Sequence, residues 1–262
     1  MSFLKKSGLT LAIIILVVAL IFAGIFLTLS FSLNKSNIQS NAVHFFDYLS
    51  TSGGDSPEIQ NITAGLILRC GAGISNISLP MDFLSIESIK LPCSEVFKGN
   101  EQVLSFVSKS LINSIYDEKY DCSGLLNCIK VSQEKNNFPS YLVSAQFQAY
   151  CYKEFALAFF FVLISLVTIF FLVEKKHNFG FLSGTVVLIV SVVFLLLKKF
   201  AVISAQKSGV GSIVNIFLFS SYKVFNIIFA IGLLLLIIGL VLKLYEKNEE
   251  EKDEEKKTEN KK

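Results

Sequence analysis

The sequence predicts an all-α integral membrane protein with four transmembrane helices and a mainly helical, disulfide-bonded extracytoplasmic domain inserted between helices 1 and 2. Three observations support this fold class. The chain is 52 % hydrophobic, above the roughly 45–50 % of soluble domains, and its mean hydropathy is +0.59. Its apolar residues concentrate in long uncharged stretches, and all 5 cysteines lie in a single segment between two of those stretches.

The first span is predicted at residues 9–33, preceded by a cytoplasmic N-terminus at residues 1–8. No charge interrupts this stretch, and it exceeds the roughly 20 residues that cross a bilayer core. A cleavable signal peptide is the alternative, because Lys5 and Lys6 form a basic start. Its apolar part is longer than the usual 7–15 residues and lacks a clean small-x-small cleavage site. We therefore expect a retained anchor.

Three further spans are predicted at residues 154–174, 179–197 and 224–244. Only the turn 175–178 separates the second from the third, so these two form a membrane hairpin. Residues 198–223 form an outer loop whose apolar part, Gly209–Tyr222, is too short to span. This part either lies on the membrane surface or packs as an ordinary loop.

Orientation follows from the lysines in short loops, which favour the cytoplasmic side. An N-terminus and C-terminus in the cytoplasm place one set of lysines inside: Lys5, Lys6, Lys175, Lys176, Lys243 and Lys247. The same orientation places a second set outside, against the rule: Lys198, Lys199, Lys207 and Lys223. We choose this orientation because it exposes the cysteines and glycosylation sequons of residues 34–153, and we expect the plasma membrane as the location.

The extracytoplasmic domain, residues 34–153, holds all 4 prolines. Asn100 is predicted to cap a helix in which Val103, Val107, Leu111 and Ile115 recur every four residues and form a core stripe. Pro139 is predicted to begin a helix that runs without a break into the second span. Short strands around residues 62–70 are compatible with the sequence but are not required by it.

The cysteines are predicted to form structural disulfides, because their confinement to one segment suits an oxidising compartment. We favour the pairs Cys122–Cys128 and Cys70–Cys93, which close short loops, although other pairings stay open. Cys151 is then the odd cysteine, either unpaired or bridged to another chain. Three sequons predict glycosylation at Asn34, Asn61 and Asn76, and each is a weak signal alone.

Apart from Glu154, Glu174 and Lys243 at their edges, the spans contain no ionisable residue, which argues against a transporter or pump. Gly180 and Gly184 form a GxxxG pattern, and Gly232 and Gly239 stand seven apart in the last span. Close helix packing is the functional interpretation of these glycines, and chance is the alternative. The tail, residues 245–262, has eight acidic and six basic residues after Tyr245 and is predicted to be disordered.

Several function classes find no support in the sequence. Arg69 is the single arginine and tryptophan is absent, so a nucleic-acid site has little to build on. No C-x-x-C motif occurs, and the histidines are His44 and His177, so we expect neither a metal site nor a cofactor. His44 near Asp47 lacks an accompanying nucleophile motif. We therefore expect a protein that is not an enzyme.

The order of segments resembles that of two families, by architecture alone. One is the claudin-type family of cell-contact proteins, whose tryptophan signature is missing here. The other is the four-span permeases of cell-division and macrolide-export ABC systems. The expected function is therefore envelope organisation, adhesion or assembly through the outer domain, and the alternative is a membrane subunit of a larger complex. The expected partners are membrane lipid and a protein partner or a second copy of the chain.

Overall fold

The computed structural model describes residues 3–41, 59–81, 86–136, 140–207, 214 and 217–259. The chain divides into two compact units. The membrane-helix unit comprises Met1–Thr28, Lys153–Phe200 and Ser220–Lys262, and the stapled unit comprises Leu29–Tyr152 and Ala201–Phe219.

The described residues are mostly helical, with one β-hairpin. The helices are α1 (Phe3–Ser32), α2 (Lys35–Ser40), α3 (Ile59–Gly71), α4 (Cys93–Val96), α5 (Asn100–Tyr116), α6 (Leu125–Asn136), α7 (Ala145–Leu172), α8 (Lys176–Lys207) and α9 (Ser221–Glu259). The strands are β1 (Asn76–Met81) and β2 (Ile86–Pro92), and a 3₁₀ turn covers Ser140–Val143. The hairpin departs from the all-α prediction.

Four helices are long and apolar enough to cross a membrane: Lys5–Ser32, Ala145–Leu172, Lys176–Ala205 and Ser221–Lys247. The four predicted spans are thereby confirmed at the level of length and composition. Within the membrane-helix unit, a Cβ placed on Gly24 of α1 would lie 3.3 Å from Phe194 and 3.4 Å from Ile228. Since Phe194 belongs to α8 and Ile228 to α9, α1 packs against both helices.

Two predicted boundaries differ in the structure. The turn between α7 and α8 is Val173–Lys175, because α8 already begins at Lys176. At its other end α8 continues to Lys207, so much of the predicted outer loop 198–223 is helical. Neither Gly nor Pro occurs between Lys198 and Lys207, and nothing there breaks the helix. Half of the predicted surface segment 209–222, namely residues 209–213 and 215–216, lies outside the described residues.

The tail also differs from its prediction of disorder, because α9 continues to Glu259. The segment after Tyr245 consists largely of Glu and Lys and has neither Gly nor Pro, and Glu and Lys are good helix formers. Because α9 is already formed through the apolar stretch, the tail extends an existing helix and avoids the cost of nucleation.

The stapled unit has a core between α3, the hairpin and α5. The two strands pair antiparallel, with Ile77 opposite Leu91 and Leu79 opposite Ile89. These side chains share one face of the hairpin because residues two apart point the same way. The short strands that the sequence left open around residues 62–70 do not form, since that segment lies in α3. A short apolar run does not distinguish a strand from a buried helix.

Helix α5 buries the predicted stripe. Val103, Val107, Leu111 and Ile115 are all buried in the core, which confirms this part of the prediction. The capping position differs, because Gly99 and not Asn100 is the N-cap residue. Gly99 has φ +104°, a conformation that side-chain-bearing residues rarely adopt.

The entry to α7 is interrupted, in contrast to the predicted unbroken helix. The 3₁₀ turn Ser140–Val143 precedes Ser144, and the Phe147 backbone N–H donates to Ser144 Oγ at 3.2 Å. Ser144 therefore caps a helix that begins at Ala145. Pro139, predicted to start this helix, lies outside the described residues.

Candidate functional site

The first covalent staple sits inside the core of the stapled unit. Cys70 and Cys93 are bonded at 1.96 Å, and both are buried. The bridge joins the last turn of α3 to the first residue of α4, and the hairpin lies between them in sequence. The Cys93 backbone N–H donates to the Ser75 carbonyl at 3.0 Å. The staple thus closes the hairpin onto α3.

The second staple joins the segment before α6 to the first turns of that helix, because Cys122 precedes α6 and Cys128 lies within it. Cys122 and Cys128 are bonded at 2.00 Å, six positions apart. Gly124, between them, has φ +78°, which this tight loop requires. The loop points Leu126 outward with 82 % of its surface exposed, while Cys128 is buried. A leucine is therefore displayed on a covalently closed loop. Both bridges join the pairs that the loop lengths favoured.

A polar layer anchors the start of this loop. Gln146 Oε1 accepts from the Tyr120 backbone N–H at 3.1 Å, and Gln146 Nε2 donates to the Tyr120 carbonyl at 3.1 Å. The Tyr120 hydroxyl lies 2.7 Å from Glu118 Oε2 and 2.7 Å from Ser140 Oγ. Because a phenol has one proton, Tyr120 donates to the carboxylate and accepts from Ser140. Hydrogen bonds thus hold both the backbone and the side chain of Tyr120, the residue two positions before Cys122.

This Glu118–Tyr120–Ser140 chain does not have the features of a catalytic centre. Ser140 is fully buried, so a substrate has no access to its hydroxyl. Its neighbour is a phenol, whereas a nucleophilic serine needs an adjacent base. The chain of bonds satisfies buried polar groups and fixes their geometry. His44 and Asp47, the other catalytic hypothesis, lie outside the described residues.

A second set of polar contacts in the stapled unit joins α7 to α5 and to the end of α1. The Tyr116 hydroxyl donates to Gln148 Oε1, and Gln148 Nε2 donates to the Ser30 carbonyl at 3.0 Å. At the C-terminal end of α5, Lys35 Nζ lies 2.6 Å from Asp117 Oδ2. The two glutamines of the sequence Gln146-Phe-Gln148 hold these segments together by hydrogen bonds, and the sequence interpretation missed them. The signal available in the sequence was the presence of two side-chain amides shortly before the apolar stretch that begins at Phe155.

The pKa values of two tyrosines in the stapled unit, Tyr116 and Tyr141, are raised. Burial raises the pKa of the Tyr116 hydroxyl above its ordinary value, and the negative charge of Asp117 raises it further. Burial likewise raises the pKa of Tyr141, with contributions from Cys151 and Tyr150. Both phenols therefore hold their protons more tightly in the folded unit than in water.

The fifth cysteine is fully buried. Cys151 lies in α7 with none of its surface exposed, and the two disulfides are formed by the other four cysteines. A bridge from Cys151 to another chain would require the sulfur to reach the surface. The structure therefore favours an internal packing role over the intermolecular one.

The three sequons occupy different settings. Asn34 is exposed and is the N-cap of α2, where its side-chain oxygen accepts from the Ser36 backbone N–H at 3.1 Å. Asn76 is exposed at the first position of β1. Asn61 lies in α3, and its side chain is outside the described part of the structure. Asn34 and Asn76 are accessible to modification, and whether any of the three is modified stays a prediction.

The stapled unit exposes other apolar side chains besides Leu126. Leu68 of α3 has 78 % of its surface exposed, and Phe97, just after α4, has 61 %. Both lie within five residues of a bridged cysteine in sequence. Large exposed apolar groups on a rigid frame are candidates for contact with a partner.

In the membrane-helix unit, the four predicted packing glycines meet in one contact between α8 and α9. A Cβ placed on Gly180 would lie 2.5 Å from the Gly239 Cα, and a Cβ on Gly184 would lie 3.0 Å from the Gly232 carbonyl oxygen. Such distances leave no room for a side chain. The backbones of the two helices therefore touch, as small residues at a membrane helix interface permit.

The same helix pair is joined by a polar contact at one end. His177 Nδ1 lies 2.6 Å from Glu246 Oε2, and the His177 side chain is 12 % exposed. Its neighbour Lys176 lies with Nζ 4.0 Å from the centre of the Phe170 ring. His177 thus serves helix pairing. The described residues contain no group of three or more His, Cys, Asp or Glu able to hold a metal ion.

Comparison with protein-family models, with curated proteins and with solved structures gives no match to this chain.

Proposed function

We propose that the chain is a membrane-anchored binding protein that acts without catalysis, in envelope organisation, adhesion or assembly. The stapled unit is its working part and lies on the outer side of the plasma membrane, with both termini in the cytoplasm. The membrane-helix unit anchors it. The partner is a protein, either another chain or a second copy.

The observation that carries this proposal is the display of Leu126. Exposing a leucine to water is unfavourable by roughly 1.5–3 kcal/mol relative to burying it. Here the exposed side chain stands on a loop closed by Cys122–Cys128 and held by Gln146. A rigid loop loses little conformational entropy when a partner covers it, so Leu126 has the character of an interface anchor.

The proposal is tested by comparing two single variants in the native membrane. Leu126→Asp removes the apolar side chain and adds a charge, whereas Asn127→Asp adds the same charge at the neighbouring exposed position. Each full-length variant is purified in mild detergent, and the mass of its complex is measured. We expect wild type and Asn127→Asp to hold a partner or second copy in fixed ratio, and Leu126→Asp to lose it.

Two results would overturn the proposal. One is a wild-type chain recovered as a single copy with no partner, and the other is a complex that Leu126→Asp and Leu68→Asp leave intact. The orientation has its own test in whole cells. An epitope at the C-terminus should bind antibody only after permeabilisation, and binding to intact cells would reverse the assignment.

The alternative of a complex subunit driven by a cytoplasmic ATPase has less support. Its docking surface would be the turn between α7 and α8, which is only Val173–Lys175. The adjoining Lys176 and His177 contact Phe170 and Glu246 of their own chain. These side chains are engaged, and the first proposal stands as the better one.

A further inference from the structure

An apolar groove of about 460 Å³ runs between α1 and α7 in the membrane-helix unit. Its lining includes Ala19 and Phe22 of α1, and Glu154, Leu157 and Ala158 of α7. Ala19 and Ala158 are buried, while Phe22 and Leu157 are about half exposed. Small residues thus form the floor and larger side chains form the walls.

One charged residue lines this groove. Glu154 stands immediately before the uncharged stretch that begins at Phe155, which is where a span made of that stretch would meet the lipid headgroups. Its side chain is partly buried, and among the described residues it has no hydrogen-bond or ion-pair partner. A carboxylate in such a setting is costly unless a cation or a donor compensates it.

We propose that this groove binds a phospholipid with a primary amine in its headgroup, of the phosphatidylethanolamine class. One acyl chain lies against Ala19 and Ala158, and the headgroup ammonium donates to the Glu154 carboxylate. The groove has the volume of a ligand pocket, and both helices have the length and composition to cross a bilayer. The apolar walls match the chain, and the single negative charge matches the ammonium.

The charge distinguishes this occupant from other lipids. A choline headgroup has no N–H to donate, and a glycerol headgroup has no cation to pair with Glu154. An N⁺–H···O⁻ hydrogen bond is stronger than a neutral one. The site should therefore prefer the amine lipid over both, although all three share the same acyl chains. This inference is independent of the proposed binding function of the stapled unit.

The test counts lipids on the full-length protein by mass spectrometry after mild delipidation. The protein is loaded separately with phosphatidylethanolamine, phosphatidylcholine and phosphatidylglycerol. We expect wild type to retain one phosphatidylethanolamine, and Glu154→Gln to reduce that retention about tenfold, the equilibrium effect of losing a charged hydrogen bond. Lys153→Gln removes the neighbouring charge, which does not line the groove, and should leave retention unchanged.

A second pair of variants tests the acyl chain. Ala158→Phe fills the floor and should abolish retention of all three lipids, whereas Leu163→Phe adds bulk at an exposed position of α7 outside the groove and should not. If Ala158→Phe does not fold, as judged by helical circular dichroism, Ala19→Leu fills the same floor from α1. Equal retention of the three lipids by wild type would overturn the proposal. A second result would also overturn the proposal. If the wild-type protein is a dimer and Ala158→Phe separates the two copies without changing lipid retention, the groove is an interface between copies.

Discussion

In the membrane-helix unit, α8 and α9 touch backbone to backbone at Gly180 and Gly239, whereas the stapled unit is held by aliphatic side chains and two disulfides. The difference follows from the surroundings that each unit's composition predicts. Lipid is as apolar as leucine, so burying leucine between spans gains little, and close approach of small residues supplies the packing instead. Outside the spans, burial from water drives packing and covalent bonds reduce the disorder of the unfolded chain. Glycine has a different role in each unit. Gly180 and Gly239 let two helix backbones approach, whereas Gly99 and Gly124 of the stapled unit adopt positive φ values.

The largest expected effect is loss of the Cys70–Cys93 bridge. Changing both cysteines to Ala should reduce the stability of the stapled unit by roughly 3.4 kcal/mol, the chain-entropy value for the loop that they close. Hydrogen exchange of the β1 and β2 amides should accelerate accordingly. Exchange in the α8–α9 contact should not change. Equal acceleration in both units would contradict the division drawn between them.

The next effect concerns the glycine contact. Gly180→Ala places a Cβ 2.5 Å from the Gly239 backbone, and a backbone cannot move aside as a side chain can. We expect a loss of about 3 kcal/mol, at the upper end for overpacking. The measurement is the thermal midpoint of the helical circular dichroism signal in mild detergent. A neutral result would show that α8 and α9 do not touch at this point.

A smaller effect of opposite sign is expected at Gly65. This residue lies inside α3, and a Cβ placed there would meet nothing within 4 Å. Gly65→Ala should therefore stabilise the stapled unit by roughly 0.5–1 kcal/mol, because glycine is the poorer helix former. Hydrogen exchange in the stapled unit, as for the cysteine variants, would detect it. Destabilisation would mean that another surface covers Gly65.

The smallest expected change in stability at neutral pH comes from the two buried tyrosines, Tyr116 and Tyr141, whose effect is confined to alkaline pH. The pKa values of Tyr116 and Tyr141 are raised above 10.0 in the folded unit, so above that pH the unfolded chain binds fewer protons than the folded one. Stability contributed by these groups is complete below about pH 10 and falls as the pH rises through the raised values. Replacing both by Phe should flatten the alkaline loss seen by hydrogen exchange. Tyr152→Phe, at an exposed position, should leave it unaltered.

Sequence predicted those features that depend on local pattern. The spans follow from apolar length, the α5 stripe from its four-residue period, and the favoured pairing from the short loops between Cys70 and Cys93 and between Cys122 and Cys128. The positions of the four glycines also carried the signal for the α8–α9 contact. Each of these can be read without knowing which distant segments meet.

The features that sequence did not predict depend on contacts between distant segments or on balanced propensities. The β1–β2 hairpin was missed because residues 62–70 offered an equally apolar run. The role of Gln146 depends on Tyr120, which lies 26 positions earlier, and no local pattern links them. The helical tail was missed because the prediction of disorder considered only the lack of apolar residues in the tail. It did not consider that the preceding span is already helical and can be extended.

That last helix has a mechanical consequence. With 39 residues, α9 is about 58 Å long, roughly twice the hydrocarbon thickness of a bilayer. The segment after Leu242 accounts for about 25 Å of this length. The charged residues up to Glu259 therefore form a stiff spacer rather than a loose tether. A partner that grips its far end would stand off from the lipid surface, and a single bend in α9 would displace it by many ångströms.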